Sequence, residues 1–380
     1  MSSGTGIRKG CNQMDKLKML WTGEYNDYWE HVFEETFDMV KAGRAFPEAD
    51  GATHRMTEDE LIPMLQGKDV FIDGYDRVTE RVIRECADLK LILSIRDGPE
   101  ESVDIDACTK AGLPVLFPGG RCIRSVAELT AALILMCAKP ILHQVNKIRN
   151  EGYSSKNKKE FAALNSEYYE VYGKTLGMVG LGRNGKELVR YMRVMGMKPI
   201  AYDPYCSEQA AEELGVTLMP LDDVLRQADY VVLAARVTPE TKRMIGAREF
   251  ALMKPSACFI NTARSELVDI DAFVYALQHN IIRKAATDVY EKDPVTKVDI
   301  PLDDNHPYFS ISPDRLIMTP HMAGMSVERA YTAYELLKPS YDNFLRGSRE
   351  LVIKNPEVFD SPCFAERGGK LFGILKETNA

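Results

Sequence analysis

The sequence predicts an α/β protein built on parallel sheets, and three observations carry that prediction. The stretch Thr175 to Asp203 reads as strand, glycine turn, helix and strand. The N-terminal part of the chain alternates short apolar runs with helical periodicity, the pattern that covers both faces of a parallel sheet with helices. Four later apolar runs each end in a cluster of polar residues. In an open parallel sheet those C-terminal strand ends form the crevice where ligands bind.

The central stretch is the most informative. Leu176, Gly177, Met178 and Val179 form a short apolar run that enters Gly180-Leu181-Gly182-Arg183-Asn184-Gly185. Leu188, Val189 and Met192 then recur at helical spacing, and a second apolar run from Pro199 to Tyr202 delivers Asp203. An acidic residue thus follows about twenty positions after the first glycine, as in a dinucleotide-binding turn. Gly180 permits the tight turn, Gly182 lets the backbone approach a pyrophosphate, and Gly185 lets the helix close on the sheet. The helix N-terminus, where Arg183 and Asn184 lie, offers N–H groups and positive potential to the phosphates. Asp203 accepts hydrogen bonds from ribose hydroxyls and repels a 2′-phosphate, so the expected cofactor is NAD and not NADP. An ordinary glycine-rich turn accounts for the glycines but not for the strand, helix and acid around them.

At 380 residues, two domains are the default. The apolar share of 45% and charged share of 27% are those of a globular protein. A net charge of −8 argues against non-specific nucleic-acid or membrane-surface binding. The eight cysteines are scattered with no CxxC pair, which suggests reduced packing residues and a cytoplasmic setting, with no structural metal. Met1 to Asn12 is polar and glycine-rich, unlike a signal segment, and is expected to fray. No apolar run is long enough to span a bilayer.

Taken in order, Leu17 to Trp21 reads as a strand. A helix is expected from about Tyr25 to Ala42, with Trp29, Val32, Phe33, Phe37 and Val40 on one face. Thr57 to Gln66 is a short helix in which Thr57 and Glu60 match a capping box. Val70–Asp73, Leu89–Ser94 and Pro114–Phe117 read as strands, and Thr79–Cys86 and Ile105–Ala111 as helices. Ser125 to Ile148 is expected as one long apolar helix, and Gly152 to Lys159 as a polar connection. A nucleotide-binding unit follows from Thr175 to about Pro320, and Ser326 to Leu345 forms a last long helix that returns to the first domain. Two long helices flanking the middle unit suggest an inserted domain, a hinge and a cleft. Beyond Leu351 the periodicity is weak, and that segment is expected to wrap the surface or a neighbouring subunit.

The chemistry-bearing segments of the second domain sit after its strands. Tyr230 to Ala235 ends in Arg236-Val237-Thr238-Pro239-Glu240-Thr241, and Phe259 to Asn261 ends in Thr262-Ala263-Arg264-Ser265. Ala285 to Val289 carries Asp288 and runs into Tyr290-Glu291-Lys292-Asp293-Pro294. Leu316-Ile317-Met318 leads to Thr319-Pro320-His321-Met322-Ala323-Gly324.

These segments, with Ser125-Val126-Ala127-Glu128 and the stretch Val103 to Val115, resemble the NAD-dependent D-isomer-specific 2-hydroxyacid dehydrogenases. The family's GxGxxG, N-x-A-R-G, D-V-x-x-x-E-P and P-H-x-A/G-G segments all have counterparts here, in order, and the likeness covers about Leu17 to Arg346. The chain looks like a member of a phosphoglycerate-dehydrogenase-like subgroup of that family. The resemblance implies a Rossmann NAD-binding domain inserted in a flavodoxin-like substrate domain, both with parallel sheets. It places the N-terminal part of the substrate domain at residues 1–148, the NAD-binding domain at 149–322, and the return helix with a C-terminal extension at 323–380. It implies a homodimer joined through the cofactor domain.

The family's catalytic trio falls on Arg264, Asp293 and His321. Reduction of a 2-oxo acid leaves an alkoxide that needs a proton, and His321 is suited to donate it because imidazole titrates near neutral pH. A carboxylate partner orients the ring and favours imidazolium. Arg264 grips the substrate carboxylate and polarises the carbonyl. Residues expected to line the cofactor are Gly180, Gly182, Arg183, Asn184, Gly185, Asp203, Ala235, Arg236, Val237, Thr241, Thr262, Ala263, Arg264, Asp288, His321, Ala323 and Gly324. Arg96, Asp97, Gly98 and Arg121 of the first domain, with Arg264, are the substrate candidates. Asp293 is one methylene shorter than the family's usual Glu, Ser265 stands where a Gly is usual, and Cys122 where Asn is common. His306, in Asn305-His306-Pro307, is the rival to His321.

The reading is an NAD-dependent oxidoreductase acting on a 2-hydroxy acid/2-oxo acid pair, without a metal and without nucleic acid or membrane as partner. Two alternatives share the fold: an NAD-sensing binding protein like the transcriptional corepressors, and a formate dehydrogenase, whose histidine pairs with Gln. A phosphoglycerate dehydrogenase is a possibility within the main reading.

Overall fold

A computed structural model describes residues 16–42, 56–152, 158–291, 302 and 305–374. The chain forms two compact units, the first from Met1–Arg121 with Val327–Ala380 and the second from Cys122–Ser326.

The first unit opens with β1 (Leu17–Trp21), α1 (Asp27–Glu34), β2 (Phe37–Lys41), α2 (Glu58–Leu65), β3 (Val70–Asp73), α3 (Glu80–Glu85), β4 (Leu91–Ser94), α4 (Ile105–Lys110) and β5 (Val115–Leu116). The strands run parallel in the order β2-β1-β3-β4-β5, the flavodoxin-like winding. Successive side chains of a strand face opposite ways, so the inner strands feed two cores. Met19 and Trp21 enter one with Phe33 and Ile72, while Leu20 enters the other with Phe71, Ile92 and Val82. The capping box holds: the Glu60 carboxylate accepts from the Thr57 backbone N–H at 2.8 Å and from its hydroxyl at 2.9 Å.

The expected helix from Tyr25 to Ala42 is instead α1 followed by β2. Asn26 caps α1 by accepting from the Trp29 N–H at 3.0 Å, and the helix stops at Glu34. Phe37 to Lys41 then pairs with β1 along its whole length, Leu17 opposite Phe37 through Trp21 opposite Lys41. Phe37 is buried against the Tyr341 ring, whereas Val40 is 41% exposed. The apolar spacing fits both periods over so short a run, and the open edge of β1, with its row of unpaired backbone groups, decides for strand.

The second unit comprises α5 (Ile123–Ala138), α6 (Ile141–Glu151), α7 (Lys158–Ser166), β6 (Thr175–Val179), α8 (Arg183–Val194), β7 (Lys198–Tyr202), α9 (Glu208–Leu214), β8 (Thr217–Leu218), α10 (Leu221–Gln227), β9 (Tyr230–Leu233), α11 (Ala247–Leu252), β10 (Cys258–Asn261), α12 (Ile270–Gln278), β11 (Lys284–Thr287) and β12 (Leu316–Met318). Its seven strands are all parallel in the order β12-β11-β10-β9-β6-β7-β8. Two cores sandwich the sheet, with Met178, Val232 and Ile260 in one and Val179, Val231 and Phe259 in the other. The chain then returns to the first unit through α13 (Arg329–Leu345).

The single helix expected from Ser125 to Ile148 is broken at Lys139-Pro140 into α5 and α6, bent by 66°. Proline lacks the N–H that would continue the ladder, and it pushes the preceding residue out of the helical region. Lys139 accordingly sits at φ −120°, ψ 116°. Part of the polar connection at Gly152–Lys159 lies outside the described residues, and α7 begins at Lys158. Among the described residues, no single helix is long and apolar enough to cross a membrane.

Residues 351–374 pack within the first unit. Ile353 bridges Leu116, and the fully buried Asn355 side chain accepts from the Val115 N–H at 3.0 Å and donates to the Leu113 carbonyl at 3.0 Å.

Candidate active site

The seven-stranded sheet reverses its winding between β6 and β9, and this is where such sheets hold ligands. Gly180 leaves β6 at φ +95°, and a Cβ there would lie 2.7 Å from the Ala234 carbonyl carbon and the Ala235 nitrogen after β9. Only glycine passes that closely in that conformation. A Cβ on Gly185 would come within 3.0 Å of the Gly180 oxygen, so α8 closes tightly on the turn. Gly182, by contrast, faces open space, with nothing within 4 Å of where its Cβ would be. It is the N-cap of α8 and contributes no side-chain hydrogen bond, so the first N–H groups of a 12-residue helix have no side-chain cap. Exposed Arg183 and Asn184 begin that helix. The arrangement fits a pyrophosphate, which needs close backbone approach and free N–H donors.

Asp203 directly follows β7, beside this turn. Its Oδ2 accepts from the Leu181 N–H at 2.6 Å and its Oδ1 from the Tyr205 N–H at 2.8 Å. Each carboxylate oxygen keeps a further lone pair for a ribose hydroxyl. After β9, the Thr241 hydroxyl donates to the Arg236 carbonyl at 2.7 Å and accepts from the Thr238 N–H at 2.7 Å, closing the turn that displays exposed Arg236 and Val237.

The loops after β10, β11 and β12 form one hydrogen-bonded mesh. Asn261 Nδ2 donates to the Arg264 carbonyl at 2.9 Å, and Asn261 Oδ1 accepts from the Ala263 N–H at 3.0 Å. Arg264 is exposed and donates from Nη1 to the Ala263 carbonyl at 2.7 Å. The Thr262 hydroxyl meets that of Thr130 on α5 at 2.8 Å. Asp288 is fully buried, and its carboxylate accepts from the Thr319 hydroxyl at 2.6 Å and from the N–H groups of Met322 and Ala323 at 2.9 and 2.8 Å. It thereby ties together the residues on both sides of His321 in the chain. The Ser125 hydroxyl makes 2.8 Å contacts to the carbonyls of Ala323 and Met325, fixing the far side of the same turn. Gly324 lies against Cys122, with 3.5 Å between its Cβ position and the thiol sulfur.

His321 itself has φ +55°, a left-handed conformation that few side chains adopt and that marks strain held in place by its surroundings. The rival His306 serves a local end: its Nδ1 accepts from the Tyr308 N–H at 3.3 Å and so caps the turn at Pro307. His143 pairs with Asp314 at 3.0 Å, and His279 stacks on Tyr275. Asp293 lies outside the described residues.

In the first unit, Arg96 lies over the Tyr75 ring, 5.0 Å from its centroid, and pairs with Glu101. Asp97 accepts from the backbone of Gly120 and Arg121, bracing the turn before Arg121, and Gly98 starts the short turn Pro99–Glu101. The sequence assigns no role to Asp73, Ser265 or Tyr290, whose hydrogen-bond partners are distant in the chain. Asp73 ends β3 fully buried, with Ser94 and Ser102 hydroxyls donating to Oδ2 at 3.3 and 3.2 Å. Burial, and then the charge of Asp76, push its carboxyl up to about 7.

A family profile described as D-isomer specific 2-hydroxyacid dehydrogenase, NAD binding domain, matches residues 131–323. The chain is 32% identical over 324 residues to D-3-phosphoglycerate dehydrogenase of Methanocaldococcus jannaschii, covering 84% of this chain and 58% of that protein. It is 30% identical over 314 residues to glyoxylate reductase of Pyrococcus furiosus, covering 81% of this chain and 86% of that protein. Among solved structures, the NAD-complexed D-isomer specific 2-hydroxyacid dehydrogenase of Lactobacillus delbrueckii ssp. bulgaricus superposes with a TM-score of 0.72 at 22% identity, over 89% of this chain and 100% of that one, a likeness of fold.

Proposed function

This chain belongs to the D-isomer-specific 2-hydroxyacid dehydrogenases and carries their NAD-binding domain, and from that premise we propose that it reduces a 2-oxo acid with NADH and runs the reverse oxidation. The observation that carries the proposal is His321, held in a strained left-handed turn at the same edge of the sheet as the glycine turn. Strain of this kind persists where the surrounding structure over-determines it, as at functional sites.

The glycine turn and the start of α8 would hold the pyrophosphate, and Asp203 the adenosine ribose. Bound there, NADH supplies the hydride. Arg264 binds the substrate carboxylate through its planar fork and polarises the adjoining carbonyl. His321 donates its proton to the carbonyl oxygen as negative charge develops, and recovers it in the oxidation direction. Asp288 has no part in the proton transfer; it holds the backbone around His321. Asp293 is the carboxylate assigned to pair with the imidazole. Compared with the family's Glu, its side chain is one methylene shorter.

The net charge of −8 argues against non-specific nucleic-acid or membrane-surface binding, so an anionic acid is held by local arginines such as Arg264 rather than by the field of the whole protein. A cytoplasmic homodimer is part of the same reading. The dimer is supported by α6, which exposes Ile141, Leu142, Val145 and Ile148 on one side.

The test is NADH consumption, with NADPH in parallel, across pyruvate, hydroxypyruvate, glyoxylate, 2-oxoglutarate and phenylpyruvate. Turnover that prefers NADH and falls by about 10²–10⁴ in His321→Ala is expected. NADH binding without turnover on any acid would favour the NAD-sensing reading.

A further inference from the structure

We propose that Ser265 and Tyr290 are positioning residues that lock the Arg264 loop and the His321 turn into one rigid unit. The inference rests on the dehydrogenase reading above only for its kinetic consequences; the tie itself is a matter of geometry.

Three strand-end loops have to keep fixed positions for a carboxylate clamp and a proton donor to act on one small molecule. They come from β10, β11 and β12, which are far apart in sequence. The Ser265 hydroxyl, directly after Arg264, donates to the Tyr290 carbonyl at 2.6 Å, with a longer contact of 3.1 Å to the Glu266 carboxylate. The Tyr290 phenol donates in turn to the Thr319 carbonyl at 2.8 Å. That carbonyl also accepts from the His321 N–H at 2.9 Å, so both of its lone pairs are engaged. The peptide plane entering Pro320 is thereby fixed. Proline allows little rotation of its own, and the next residue is His321 at φ +55°. Tyr290 thus joins the two loops at once, its carbonyl to the arginine side and its hydroxyl to the histidine side.

Burial makes the tie rigid. Ser265 is 5% exposed and Tyr290 8% exposed, and the Tyr290 ring sits in the core with Tyr308, 6.4 Å between centroids. In such surroundings water does not compete for the hydrogen bonds, and a carbonyl that loses its partner goes unsatisfied. Asp288 braces the same turn from the other side through Thr319, Met322 and Ala323. Neither Ser265 nor Tyr290 directs its hydroxyl at a substrate, because both donate to backbone carbonyls.

The test uses the full chain and the variants Tyr290→Phe, Ser265→Ala and the double variant. Tyr290→Phe removes one oxygen and keeps the ring, so the fold is expected to hold and its thermal unfolding temperature to stay close to that of the unaltered chain. The expected kinetic result is a kcat about three- to tenfold lower, the size of one buried hydrogen bond, with KM for NADH unchanged. The acid limb of the kcat pH profile shifts with it, and the double variant shows less than the product of the single effects, as members of one chain of contacts do. Backbone amide exchange at His321 speeds up in Tyr290→Phe, while exchange along Thr175–Val179 stays as it was. Unchanged kcat together with unchanged exchange at His321 overturns the tie, as does uniformly faster exchange with a lowered unfolding temperature, which marks a purely structural role. An unaltered chain that binds NADH but turns over no 2-oxo acid defeats the dehydrogenase reading instead, and the exchange experiment still decides the tie.

Discussion

Asp73 shows how one side chain sets a pH dependence. It ends β3 with no exposed surface, its Oδ2 takes two serine hydroxyls, and its Oδ1 has no hydrogen-bond partner among the described residues. Burial and the neighbouring Asp76 raise its carboxyl to about 7, against the opposing pull of Arg96 and the serine hydroxyls. In the unfolded chain the same group ionises near an ordinary value of about 4. Between those two values the folded state holds the proton more tightly, so stability from this group is full at the acid end and falls as pH rises from about 4 to about 7. Above that window the slope vanishes. Urea unfolding midpoints followed across this range are expected to drop less in Asp73→Asn than in the unaltered chain. At about 1.4 kcal/mol per pKa unit, the difference amounts to a few kcal/mol at most. Parallel curves for the two proteins would count against the burial argument.

At the scale of elements, the turn between β6 and α8 separates two kinds of glycine. Gly180→Ala forces a Cβ to within 2.7 Å of backbone atoms at φ +95°, so it is expected to lower stability by about 1–3 kcal/mol and to weaken NADH binding. Gly182→Ala places its methyl in open space, so its unfolding temperature is expected to hold while NADH affinity falls by about tenfold or more. Fluorescence titration with NADH beside thermal unfolding separates the two. The inner parallel strands, such as β3, β4, β9 and β10, were legible as apolar runs because both of their faces are buried. The parts misread from the sequence are those where a neighbour decides. Phe37 to Lys41 becomes a strand because the edge of β1 is available to it, and α5 stops because Pro140 outweighs the apolar periodicity around it. The glycines, Asp203, Arg264 and His321 could be picked out as candidates because they lie in the short stretches that follow apolar strands. The Ser265–Tyr290–Thr319 contacts left no trace in the sequence, since hydrogen bonds between distant loops have no period.

At the scale of the whole molecule, the first unit is assembled from both ends of the sequence. Tyr334 of α13 accepts from the Trp21 indole at 2.9 Å and donates to the Glu24 carbonyl, and Arg329 pairs with Glu24. Farther on, the Arg367 guanidinium donates to the carbonyls of Ile83, Cys86 and Leu89 at 3.0, 2.7 and 2.7 Å. It thereby satisfies the open end of α3. Arg367→Met is expected to lower the stability of the first unit by about 2–4 kcal/mol, because three carbonyls lose a charged donor. NADH binding, a property of the second unit, should persist. Loss of NADH binding together with first-unit stability would contradict that division of labour.

In the proposed reaction this sheet edge brings NADH to a 2-oxo acid, with His321 as proton donor. The most direct measurement follows deuterium from NADH labelled at the nicotinamide C4 into the product of a 2-oxo acid panel. Deuterium is expected at C2 of a D-2-hydroxy acid, and it is expected to disappear in His321→Ala while that variant still binds NADH. Deuterium retained in full activity by His321→Ala, or absent from every product of the unaltered chain, would contradict it.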